Sequence, residues 1–92
     1  MMRDKFRIAV ELDSSEWLCD CEEYLEHKVL YYKVTITAPV LYSPLDRLHF
    51  PLVMRYDKTD AAYYFELEPE HYPPVLEQIE EELSDSLYSR NF

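Results

Sequence analysis

The sequence predicts a two-layer α+β sandwich in which a mostly antiparallel, four-stranded sheet carries two helices on one face, in the order β-α-β-β-β-α. Three observations predict it. Stretches with apolar residues at every second position alternate with two stretches of helical apolar spacing. The chain is 92 residues long, enough for one domain with one core, so residues 1–92 are read as a single small acidic domain. Its composition, 48% apolar and 15% aromatic, is that of a globular rather than a disordered chain.

The elements follow in order. Phe6, Ile8, Val10 and Leu12 alternate with Arg7, Ala9 and Glu11, the period of a strand. "DSSE" then has the form of a capping box, with Asp13 as N-cap and Glu16 three residues on. Trp17, Leu18, Cys21, Tyr24, Leu25 and Lys28 fit a helical stripe, so a first helix is expected from about Ser14 to about Lys28. "VLYYKVTIT" is β-branched and aromatic: Leu30, Tyr32, Val34 and Ile36 point one way, Tyr31, Lys33, Thr35 and Thr37 the other. "APVLYSPLDRLH" is a proline-punctuated connection, unusually apolar for a loop. "FPLVMRY" resumes as a strand, with Pro51 suggesting an edge or a bulge. "DKTD" is a turn, and "AAYYFELE" a strand with Tyr63, Phe65 and Leu67 on one face. "EHYPP" opens a second helix with the apolar stripe Val75, Leu76, Ile79, Leu83 and Leu87.

The formal net charge of −10 is unevenly placed. Seven acids and no Lys or Arg lie between Ile8 and His27, and nine acids with none between Thr59 and Ser89. Lys28 to Lys58 holds five bases against two acids. With both helices on one face of the sheet, these acids are expected to form one continuous anionic surface, with Glu22, Glu23 and Glu26 on the first helix and Glu77, Glu80, Glu81, Glu82 and Asp85 on the second. The five acids of the second helix span about 12 Å, at about 1.5 Å per residue. That approaches the spacing of about 3.4 Å per charge along one nucleic-acid strand. A face serving only solubility would intersperse lysine and avoid like-charge i, i+4 repulsion.

Catalysis is not expected. Without a single glycine there is no phosphate-cradling glycine loop, and no serine sits in a nucleophile elbow. Cys19, Glu23 and His27 would share one helical face as three zinc ligands, but no fourth ligand is placed. The plainer assignment is core, boundary and helix C-terminus, so neither metal nor cofactor is expected. Two cysteines in "CDC", no signal peptide and no apolar run long enough for a membrane span make a reduced, cytoplasmic location the expectation.

Tyr31 and Tyr64 are expected on the uncovered face of the sheet near Lys33, either as a protein contact or simply packing across the strands. Direct nucleic-acid binding is disfavoured by the negative charge. In the proline connection, Leu41, Tyr42 and Leu45 either extend the flanking strands, form a lid over the sheet end, or make an exposed anchor for a partner or a homodimer. The expected function is a small acidic binding protein that presents its carboxylates to a basic, nucleic-acid-binding protein and blocks it. Such a surface resembles that of DNA-mimic inhibitors of the anti-restriction and anti-CRISPR kinds. The alternative is an adaptor or assembly subunit that uses the tyrosines and the proline connection.

Overall fold

The computed structural model describes residues 4–39, 45 and 48–92. Five strands, β1 (Lys5–Leu12), β2 (Ser15–Glu26), β3 (Val29–Thr37), β4 (Leu52–Asp57) and β5 (Ala62–Phe65), form one antiparallel sheet in chain order. After a 3-10 turn at Pro69–His71, one helix, α1 (Pro74–Asn91), ends the chain. The class is α+β, with the sheet curled into a half-barrel. The expected four strands and two helices are corrected to five strands and one long helix.

The correction comes from residues 15–26, which are strand and not helix. Trp17, Cys19 and Cys21 are all buried and lie two residues apart, and that period of two prevails over the i, i+4 pattern and the helix propensity of the glutamates. Alternation lets β2 cover the core while pairing with β1 and β3 along most of its length. Asp13 is therefore no N-cap. With Ser14 it forms a two-residue hairpin turn, both at positive φ (51° and 63°). His27 and Lys28 repeat this turn at φ 51° and 65°. Primed turns of this hand match the twist of the strands they join, and here they are built without glycine.

The inner face of the sheet carries the core: Val10, Trp17, Cys19, Cys21, Tyr32, Val34, Ile36, Leu52, Met54, Tyr63 and Phe65. Leu76, Ile79, Leu83 and Leu87 of α1 close over it, each with no exposed surface. Leu45 is also buried in this cluster, so it is not the exposed anchor the sequence offers as one reading. Leu41 and Tyr42 lie outside the described residues. Pro51, after a cis Phe50–Pro51 peptide, immediately precedes β4, which has a neighbour on each side and is not an edge. α1 packs along β5 and reaches β1 at its other end, where Arg90 contacts Asp4 (3.4 Å) and lies over the Phe6 ring (4.0 Å). Among the described residues, no helix is long and apolar enough to cross a membrane.

The strand assignment also redistributes the charge. Glu11, Glu16, Asp20, Glu22 and Glu26 point away from the core-facing residues, onto the sheet face opposite α1. There they meet bases: Arg7 Nε donates to Asp20 Oδ1 at 2.7 Å, and Lys5 and Lys33 flank Glu22 in register. Glu23 points inward, where its carboxylate accepts the Tyr32 hydroxyl at 3.1 Å. The Asn91 amide donates to that same hydroxyl oxygen (2.8 Å) and lies 3.0 Å from the Tyr63 hydroxyl. The single anionic face expected from two helices is thus split between opposite layers of the molecule.

Candidate functional site

Burial of Leu76, Ile79, Leu83 and Leu87 fixes the rotation of α1 about its axis. At about 100° per residue, Glu80 and Ser84 then face the edge strand β5, and Glu77, Glu81 and Asp85 form the next row outward. β5 has a sheet neighbour on one side only, so alternate N–H groups point at the helix. Ser84 Oγ accepts from Tyr63 N–H (2.8 Å), and Glu80 Oε2 accepts from Phe65 N–H (2.9 Å). The Tyr72 hydroxyl also donates to Glu80 and lies 3.0 Å from the Phe65 carbonyl oxygen. Burial and the Glu80 carboxylate together hold that phenol well above its ordinary range. Glu80, expected among the partner-binding acids, is therefore a seal on the sheet edge.

A groove runs along this helix–strand junction. One lobe of about 380 Å³ is lined by Tyr64, Leu67, Tyr72, Glu77 and Glu80. The next, about 280 Å³, has Ala62, Tyr63, Tyr64, Glu77, Glu80, Glu81, Ser84 and Asp85. Tyr64 stands between the lobes, 40% exposed, with its hydroxyl donating to Asp60 Oδ2 at 3.1 Å. That hydrogen bond to a carboxylate raises the Tyr64 phenol above its usual value. Glu77, Glu81 and Asp85 are exposed, and among the described residues no lysine, arginine or histidine lines either lobe. The groove thus combines a free aromatic ring with three uncompensated carboxylates, a combination that attracts guanidinium and ammonium groups through charge and through the ring face.

Structure and expectation differ over the other acids. Glu82 lies about 100° further round the helix than Glu81, outside the groove. Glu22 and Glu26 belong to the opposite sheet face, Glu26 beside His27 at 3.9 Å, and Glu23 belongs to the interior network. The Cys19, Glu23 and His27 triad does not converge: Cys19 is in the core and His27 is exposed in a turn. No group of three metal-ligating side chains gathers among the described residues.

The outer sheet face carries a second aromatic feature. Tyr24, Tyr31, Arg55 and Tyr64 are consecutive cross-strand partners on β2, β3, β4 and β5. Tyr24 and Tyr31 stack at 5.2 Å, Lys33 Nζ lies 5.1 Å from the Tyr24 ring, and Arg55 pairs with Glu66 at 3.5 Å. Tyr31 and Tyr64 are on this face, the one alternation indicated. A helical assignment of residues 14–28 hides Tyr24 from this face, although the two-residue spacing of Trp17, Cys19 and Cys21 marks it as outward-facing. Comparison with protein-family models, with curated proteins and with solved structures yields no match.

Proposed function

We propose that this is a non-enzymatic binding protein whose α1–β5 groove receives a basic segment of a partner protein. The observation that carries the proposal is the row Glu77, Glu81 and Asp85 beside the exposed Tyr64 ring, with no base among the described residues that line the groove. A lysine or arginine seated over Tyr64 reaches carboxylates on the helix side while its stem covers Leu67. The row has one charge per about 6 Å, roughly half the density of a nucleic-acid strand. This supports recognition of a basic segment better than imitation of a whole duplex. Nucleic-acid-binding proteins present arginine- and lysine-rich surfaces, so a partner of that class, occupied and blocked by this groove in the cytoplasm, fits the proposal. The ladder Tyr24, Tyr31, Arg55 and Tyr64 favours a second role, as an adaptor that holds another protein on its outer sheet face.

The test is titration of a labelled arginine-rich peptide with the wild-type protein, with E77K/E81K/D85K, and with E16K/E26K/E82K. The last variant makes the same change in net charge away from the groove. Binding is expected to be lost in the helix variant, largely kept in the control, and weakened by salt. Equal loss in both variants would reduce the effect to net charge, and unchanged binding in the helix variant would refute the groove.

A further inference from the structure

The two edges of the sheet are treated differently. β5 is sealed by Ser84 and Glu80, which occupy its outward N–H groups. Among the described residues, β1 has no such seal. Glu23 N–H bonds to the Asp4 carbonyl at 2.8 Å, so Asp4 and Glu23 are a directly hydrogen-bonded pair. In the β1–β2 register, every second residue of β1 from there, Phe6, Ile8, Val10 and Leu12, bonds to β2. The N–H and C=O groups of Arg7, Ala9 and Glu11 therefore point off the edge, and among the described residues they have no partner. α1 packs against β1, with Arg90 on Asp4 just before the strand and over the Phe6 ring near its beginning. Phe6, Ile8 and Leu12, on the inner side of the same edge, are only half-buried.

A row of charges often protects a free edge from pairing. Here the charges are not of one sign. From Lys5 to Asp13 the edge reads Lys5, Arg7, Ala9, Glu11, Asp13: two bases, a small neutral residue, two acids. This order is antisymmetric about Ala9. Turned end over end, it matches itself.

We propose that β1 is a self-association edge, on which a second copy of this chain adds its own β1 antiparallel about a two-fold axis at Ala9. In that register Ala9 faces Ala9 of the second copy, and each Arg7 faces a Glu11. Each Lys5 comes level with an Asp13. The directly bonded positions are those whose backbone groups are free, so roughly six inter-chain hydrogen bonds form, two for each bonded pair. On the inner side Ile8 meets Val10 and Phe6 meets Leu12, covering the apolar surface left half-open. A shift of the axis to Arg7 sets arginine against arginine, and parallel pairing sets like charge against like. Only the Ala9 axis matches every charge on the edge. The partner follows from this: a strand of another protein would need the same pattern reversed, and this chain already carries it.

The test is sedimentation of the full chain over a concentration series, with circular dichroism to confirm folding. Wild type is expected to dimerise. Ala9→Pro removes an N–H that β1 does not use within its own sheet, and is expected to yield a folded monomer. Arg7→Glu alone and Glu11→Arg alone each place like charges opposite one another twice, and are expected to weaken self-association about tenfold or more. An equimolar mixture of these two variants restores opposite charges at both positions, and is expected to form a heterodimer. A wild-type monomer at all concentrations would overturn the proposal. So would a dimer indifferent to Ala9→Pro, or failure of the mixed variants to associate. Binding of a foreign strand at this edge in place of self-association would also refute it.

Discussion

Glu80 and Glu81 are adjacent acids on one helix, and the structure gives them opposite roles. Replacing Glu80 with alanine removes the acceptor for two donors, Phe65 N–H and the Tyr72 hydroxyl. A buried donor left without a partner costs about 1–3 kcal/mol, and bonds to a charged acceptor lie toward the upper part of the usual range. Glu80 is half-buried, so water replaces part of what is lost and each donor falls near the low end. The expected destabilisation is about 2–3 kcal/mol. For a domain this small, that lowers the Tm by about 8–24 °C. Glu80→Gln keeps an oxygen acceptor and is expected to lose about half as much. Glu81→Ala removes an exposed carboxylate and is expected to stay within about 0.5 kcal/mol of wild type. Urea unfolding followed through the fluorescence of buried Trp17 measures all three. If Glu80→Ala and Glu81→Ala unfold at the same urea concentration, the edge seal is not a stabilising feature and the distinction drawn between the two acids is wrong.

Ser84→Ala removes the acceptor of Tyr63 N–H at a cost of about 1–2 kcal/mol, of which alanine's better helix propensity returns about 0.5 kcal/mol, so a net loss of about 0.5–1.5 kcal/mol is expected in the same assay. Ser14→Gly converts the first hairpin turn to Asp-Gly with positive φ at both positions, and is expected to raise stability by about 0.5–1 kcal/mol, read as a higher Tm. Burial pushes the Cys19 and Cys21 thiols from 9.0 up to about 12, so neither is expected to react with a thiol-specific disulfide reagent at pH 8 until the protein unfolds. The same shifts govern the alkaline limit. In the unfolded chain these thiols ionise from about pH 9 and Tyr32 from about pH 10, whereas in the fold all three hold their protons to about pH 12. The stability these three groups contribute is therefore complete below about pH 9 and expected to be lost between pH 9 and 12, with urea midpoints declining across that window.

Much of this fold can be read from residue patterns, and the exceptions have physical causes. Alternation in β3 places Tyr32 and Val34 inward and Tyr31 and Lys33 outward, and the α1 stripe of Leu76, Ile79, Leu83 and Leu87 is helical at sight. Residues 15–26 satisfy two periods at once: Trp17, Cys21, Leu25 for a helix and Trp17, Cys19, Cys21 for a strand. The choice falls to tertiary pairing with β1 and β3, which local spacing cannot express. The turns misled for a related reason. Asp13 followed by Ser14 and Ser15 has the form of a helix N-cap, and an aspartate tolerates the left-handed conformation of a hairpin turn equally well. For the site, the row Glu77, Glu81 and Asp85 is visible as i, i+4, i+8, but the dual use of α1 is not. Glu80 and Ser84 become edge acceptors only because β5 packs beside them. The proximity of Tyr64 to this row depends on the same packing.

The proposed binding of a basic segment in the groove between α1 and β5 can be observed residue by residue. The most direct measurement is a nuclear magnetic resonance titration of the isotope-labelled protein with an arginine-rich peptide, following backbone amides at about 0.1 M salt and again after a severalfold increase. Shifts are expected to concentrate at Ala62–Phe65 and at residues 77–85, with the Tyr64 ring resonances moving alongside and the whole response shrinking as salt rises. Shifts spread over the acids of β2, or centred on the Tyr24–Tyr31 stack with residues 77–85 unmoved, would contradict the account.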